Sequence, residues 1–245
     1  MLRMMIIGAT SAIAHETATH FATEGATFYL VARSEDKLKV VADDLSARGA
    51  QATHTHIMDM NDFDSHQALL DKAVETLGTL DVLYIAHGVL SDQSEDERSV
   101  EAMIQSFNTN FLSTATFLTL AANYFEAERR GVIAVISSVA GERGRGSNYV
   151  YGTAMAAKTA FLQGLRNRMA KCGVTVVTIK PGQVATPMTA HLKPSPLLAD
   201  PAKVGEDIYK AMKKGRDIVY TPAYWSVIMT IIRNIPERIF KRLSL

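Results

Sequence analysis

The strongest constraint in this chain is a regular alternation of two kinds of segment. Short apolar runs rich in β-branched residues lie at Met4–Ile7, Thr27–Ala32, Ala52–Met58, Val82–Ile85, Val132–Ser137 and Val174–Ile179. Helix-length segments separate them, at Ala12–Glu24, Glu35–Arg48, Asp62–Leu77, Val100–Glu126 and Val150–Ala170. A strand that reads as a continuous apolar run is buried on both faces, the pattern of a parallel sheet covered by helices. Repeated β-α-β order therefore predicts an α/β fold, a doubly wound parallel sheet in three layers, α/β/α. No Pro/Gly/Ser-rich linker divides the chain, and the first proline is Pro181. The expectation is a single domain over 1–222, followed by an amphipathic tail over 223–245.

Composition removes several function classes. With 26 Lys plus Arg against 25 Asp plus Glu, there is no basic excess to neutralise phosphates, so a nucleic-acid partner is not expected. The single cysteine, Cys172, excludes an internal disulfide framework and a cysteine-based zinc site, and suits a reducing compartment. His54 and His56 alternate along one strand and read as strand-edge residues, so no metal site is expected. Met1–Ile7 holds one basic residue and too short an apolar run for a secretory signal, and no uncharged apolar stretch reaches the roughly 18 residues of a span. A cytoplasmic location is the expectation.

The first strand runs into Gly8-Ala9-Thr10-Ser11-Ala12-Ile13-Ala14 and opens a helix. Such a turn brings backbone N–H groups and a helix N-terminus onto a pyrophosphate, and needs small residues for the tight turn and the close approach. Gly8, Ala12 and Ala14 supply them; a generic strand-to-helix turn is the plainer alternative. The second strand ends Ala32-Arg33, with alanine where an NAD site places an acid. The Arg33 guanidinium suits a 2′-phosphate, so NADP(H) is the expected cofactor.

Together these residues resemble the short-chain dehydrogenase/reductase family, from Met4 to about Tyr220. Gly8, Thr10, Ser11, Ala12 and Ile13 match its Rossmann-type cofactor loop, and Asp59 matches the residue that holds the adenine. Ala86-His87-Gly88 stands where the family has Asn-Ala-Gly, and Asn110 matches a helix asparagine that anchors a water. Ser138 ends the fifth strand, Tyr151 follows 13 residues later, and Pro181, Gly182 and Thr186 lie in a segment like the loop beside the nicotinamide. The resemblance implies interconversion of a secondary alcohol and a ketone, using the 4-pro-S hydride of NADPH. Tyr151 would be acid/base, Ser138 the donor to the substrate oxygen and Asn110 part of the proton relay. It also implies a small, apolar carbonyl or alcohol substrate and a homodimer or homotetramer.

One residue departs from the pattern. The family's lysine lies four residues after the tyrosine, and that position holds Met155, which has neither charge nor donor. A slow enzyme, a silent NADP(H)-binding regulatory or structural subunit, and a disabling substitution all fit. Lys158, seven residues from Tyr151, falls within roughly 20° of the same helix face but about 10 Å along it. It stands where the family usually has an apolar residue. Substitution for the missing amine is one reading, since helical side chains lean toward the N-terminus; the plainer alternatives are a solvated lysine or one at a subunit contact.

Two further segments complete the reading. Ser91–Arg98 is acidic and polar, expected as a solvated loop near the entrance to the site. Pocket-shaping residues are expected in 88–98 and 183–200, with Met188 as a flexible apolar lining. In the tail, Tyr224, Ile228, Ile231, Ile232, Ile235 and Ile239 follow helical spacing, broken by Pro236 into two short helices. Basic residues interleave toward the end. The pattern suits either burial against the site or a neighbouring subunit, or peripheral contact of 224–245 with an anionic membrane.

Overall fold

The computed structural model describes residues 1–190 and 195–243. Seven parallel strands form one sheet: β1 (Arg3–Ile7), β2 (Thr27–Ala32), β3 (Ala52–Ile57), β4 (Val82–Ile85), β5 (Val132–Ile136), β6 (Thr175–Pro181) and β7 (Ile218–Thr221). Their spatial order is β3-β2-β1-β4-β5-β6-β7. The chain builds outward from β1 to β3, crosses back, and resumes at β4 beside β1. That reversal opens a crevice at the strands' C-terminal ends, where doubly wound sheets bind ligands.

The helices are α1 (Ala12–Ala22), α2 (Glu35–Ala47), α3 (His66–Leu77), α4 (Gln93–Asp96), α5 (Val100–Phe107), α6 (Ser113–Glu128), α7 (Tyr149–Ala170), α8 (Pro201–Lys213), α9 (Trp225–Asn234) and α10 (Glu237–Phe240). Strand alternation splits the core into two layers. Met4 and Ile6 pack with Ala18, Leu38 and Ile208 of α1, α2 and α8, whereas Met5 and Ile7 pack with Leu70, Phe117 and Leu162 of α3, α6 and α7. Both faces of β1 are thus fully covered, each such side chain stabilising the fold by about 1.5–3 kcal/mol. Cys172 is free and buried in the second layer.

Ser34, Asp92, Ser99 and Asp200 each cap the helix that follows with a side-chain oxygen. The long helix expected over Val100–Glu126 is interrupted by a π-turn at Asn108–Leu112. β7, α4 and α8 lie outside the expected elements. The segment Ser91–Arg98 is a corrected expectation: it contains α4, its Asp96 is buried and bonded to Ser91, and Gln93 Oε1 accepts from the Val150 N–H at 3.0 Å. Pro236 does divide the tail into two helices. Residues 191–194 of the expected pocket segment, and 244–245 of the tail, lie outside the described residues.

Candidate active site

Gly8 leaves β1 at φ +81°, a conformation that side chains disfavour. A methyl there would also come within 2.5 Å of the His87 amide nitrogen. The first turn is therefore pressed against the end of β4, and Gly8 and Ala9 N–H both donate to the Val31 carbonyl. Ser11 starts α1 without capping it, unlike Ser34 at the start of α2. The first amides of α1 thus keep no side-chain acceptor, which fits an anionic ligand such as a pyrophosphate. Thr10, Ser11, Ala12 and Ile13 are all half-buried around this turn. At the neighbouring strand ends, Arg33 and Asp59 are exposed and approach each other, Nη1 to Oδ2, at 3.9 Å.

The π-turn explains Asn110. An extra residue in the helical turn is typical of functional sites and re-aims one side chain. Asn110 is fully buried, and its Oδ1 accepts the Val89 N–H at 2.9 Å. A methyl at Gly88 would sit 2.9 Å from the same oxygen, so Gly88 lets β4's end approach this helix closely.

His87 makes one side-chain bond, Nε2 to Ser113 Oγ at 2.7 Å. Ser113 spends its own proton on the Thr109 carbonyl, so His87 Nε2 must be the donor and Nδ1 a bare acceptor. Nδ1 is buried with no partner. Burial, and then the nearby Lys158 charge, push this imidazole down to about 3, which keeps it neutral.

Ser138 and Tyr151 meet across a turn that locks β5 to α7. Ser137 Oγ donates to the Met155 carbonyl at 3.1 Å and pairs with Thr159 Oγ1 at 2.8 Å. A methyl at Gly141 would fall 2.6 Å from the Ala156 amide, and one at Gly152 would fall 3.0 Å from the Ala140 carbonyl. Both glycines therefore permit backbone-on-backbone packing. The result sets the Tyr151 phenol beside the Ser138 hydroxyl; burial raises the phenol's pKa and the neighbouring hydroxyl partly opposes the rise. Met155 is buried at 3% exposure, and Lys158 is buried at 2%, which rules out its reading as a solvated lysine.

The loop after β6 completes one wall. Pro181 is buried, Gly182 half-buried, and Thr186 half-buried with its N–H bonded to Thr189 Oγ1 at 3.1 Å. Trp225 of α9 lies directly on Gly182, where a methyl would overlap the indole. With Val139 and Met229, Trp225 forms a small apolar cluster beside the Ser138 turn. Met188, expected as pocket lining, is exposed.

The tail is held by polar groups that carry no periodic signal. The Glu142 side chain is buried, pairs with Lys180 Nζ at 2.8 Å and accepts from the Tyr220 hydroxyl. Burial, followed by that carboxylate, pushes Tyr220 up to about 12. Arg143 donates to the Ile232 and Ile235 carbonyls, pairs with Glu237 at 2.9 Å and stacks 3.6 Å from the Phe240 ring centroid. The inner face of α9 thus closes over the site, while Val227 and Ile231 point outward, each 62% exposed. No helix among the described residues is long and apolar enough to cross a membrane.

A family profile described as short chain dehydrogenase matches residues 3–196. The chain belongs to the short-chain dehydrogenase/reductase family. It is 32% identical over 240 residues to an uncharacterized oxidoreductase of Mycobacterium tuberculosis, covering 98% of this chain and 96% of that one. An uncharacterized oxidoreductase of Streptomyces coelicolor is 31% identical over 241 residues, covering 98% and 95%. A solved structure of a short chain dehydrogenase/reductase family protein superposes with a TM-score of 0.78 at 24% identity, over 89% of this chain and 94% of that one. The chain is thus an oxidoreductase of the short-chain type, a family that uses nicotinamide cofactors.

Proposed function

We propose that this protein is an NADP(H)-dependent reductase that interconverts a ketone and a secondary alcohol, with Tyr151 as acid/base and Ser138 orienting the substrate oxygen. The observation that carries the reading is the buried Tyr151 phenol set beside the Ser138 hydroxyl at the C-terminal edge of the sheet. Bound there, the cofactor supplies a hydride. Ser138, whose Oγ accepts the Ala140 N–H at 3.1 Å, aims its hydroxyl at the carbonyl oxygen and fixes its orientation. The Tyr151 phenol delivers the proton that the nascent alkoxide needs. The first turn, Gly8 to Ile13, holds the diphosphate, and Pro181, Gly182 and Thr186 flank the nicotinamide end. Arg33 supports preference for the 2′-phosphate, since Ala32 leaves no carboxylate for a free ribose hydroxyl.

Trp225, Val139 and Met229 favour an apolar group on the substrate next to the reacting carbon. The outward face of the tail adds a second contact: Val227, Ile231 and Ile239 are exposed beside Arg238, Lys241 and Arg242, a composition suited to an anionic lipid surface. The test of the catalytic reading is NADPH oxidation at 340 nm over a panel of aliphatic and aromatic ketones. Turnover should fall on the order of 10²-fold or more in Tyr151→Phe with NADPH binding retained. Equal turnover in that variant sinks the assignment.

A further inference from the structure

The amine missing from position 155 has a counterpart one helical turn along α7. Lys158 is among the largest fully buried side chains, and among the described residues it forms no ion pair. Its hydrogen bond is a long one, 3.4 Å from Nζ to the Ile136 carbonyl. Burial without a counter-charge lowers the amine's pKa to about 7. An apolar side chain would fill the same space without that penalty, and the family usually places one here. A buried, under-satisfied cation therefore needs a reason other than packing.

Registration shows where the amine goes. The Ser137 bonds to Met155 and Thr159 lay the turn 155–159 of α7 against the end of β5. Lys158 Nζ meets Ile136, the residue just before Ser137 and two before Ser138. Three residues along a helix is only about 4.5 Å, and helical side chains lean toward the N-terminus, so a four-carbon stem carries the amine back toward the level of Met155. On the β4 side stands His87, close enough for the Lys158 charge to act on its ring. The unpartnered His87 Nδ1 adds an acceptor to the donor that Lys158 supplies.

We propose that Lys158 takes over, from one turn further along α7, the cofactor-positioning role of the lysine that position 155 lacks, with His87 Nδ1 as the acceptor beside it. The inference rests on the oxidoreductase reading above and names which of this chain's residues complete its cofactor site. Methionine at 155 and lysine at 158 then form one reciprocal exchange, in which an apolar side chain and an amine trade places on the same helix.

The test is NADPH binding, followed by cofactor fluorescence on the full chain, with circular dichroism as the folding check. Lys158→Met should weaken binding at least tenfold while remaining folded. Lys158→Leu should do the same. The double variant Met155→Lys/Lys158→Leu, which returns the amine to the usual position, should bind within threefold of the wild type. Wild-type affinity in folded Lys158→Met or Lys158→Leu overturns the proposal, as does a double variant no better than the single ones. Failure of the wild type to bind NADPH at all would instead remove the cofactor reading, and this inference with it.

Discussion

Replacing Lys158 by methionine should make the protein more stable. In the fold the amine's pKa is lowered to about 7 from 10.5, so between those values the unfolded chain binds more protons than the folded one. Stability therefore rises with pH across that window; the penalty is fully present below pH 7 and gone above about 10.5. The gap amounts to about 4 kcal/mol at pH 7, shrinking to about 1 kcal/mol near pH 9.5. Methionine keeps the buried apolar contacts and removes the ionisable group. For a chain of this size 1 kcal/mol shifts Tm by about 2–4 °C, so Lys158→Met should melt about 8 °C or more higher at pH 7. The assay is thermal unfolding of both proteins from pH 6.5 to 9.5. The difference must contract as pH rises. A variant that melts at or below the wild type at pH 7, or a gap that does not change with pH, would refute the reasoning.

Other expectations follow from single contacts. Arg33→Asp places a carboxylate at the exposed end of β2, so NADPH affinity should fall at least tenfold and NADH affinity rise, as read by calorimetry; unchanged NADPH binding would remove Arg33 from the site. Gly182→Ala overlaps the indole of Trp225, the chain's single tryptophan, so its emission should shift to the red and the protein should lose about 1–3 kcal/mol. Val227→Ser/Ile231→Ser alters only exposed positions. It should reduce sedimentation with phosphatidylserine vesicles without lowering Tm, and undiminished sedimentation would count against lipid contact.

The framework was legible because burial on both faces writes itself into the chain. Val82–Ile85 is apolar throughout and Thr27–Ala32 apolar after its first residue, and the structure places both as strands with the same bounds. β7 escaped because Ile218–Thr221 is four residues at the sheet's edge with one exposed side chain, too short for a periodic signal. α4 was hidden by its charges: Ser94, Glu95 and Asp96 look solvated, yet the buried Asp96 is satisfied by Ser91. At the site, it was the family resemblance, carried by motif order and spacing, that pointed to Ser138, Tyr151 and Asn110; Asn110 sits in the π-turn between α5 and α6. Contacts between distant segments left no mark. Glu142 with Lys180, Arg143 with the carbonyls of α9, and Ser113 beneath His87 are each joined only by the fold. Lys158 shows the same limit. Its helical angle could be counted, but its burial depended on what packs around α7.

The central claim is hydride transfer to a carbonyl with proton delivery by Tyr151. Its most direct measurement is label transfer from stereospecifically deuterated NADPH to ketone substrate, followed by mass spectrometry of the alcohol. The expected result is deuterium in the product from the 4S-labelled cofactor, none from the 4R-labelled cofactor, and loss of product formation in Tyr151→Phe. Product that carries the 4R label, or an undiminished yield in Tyr151→Phe, would contradict it.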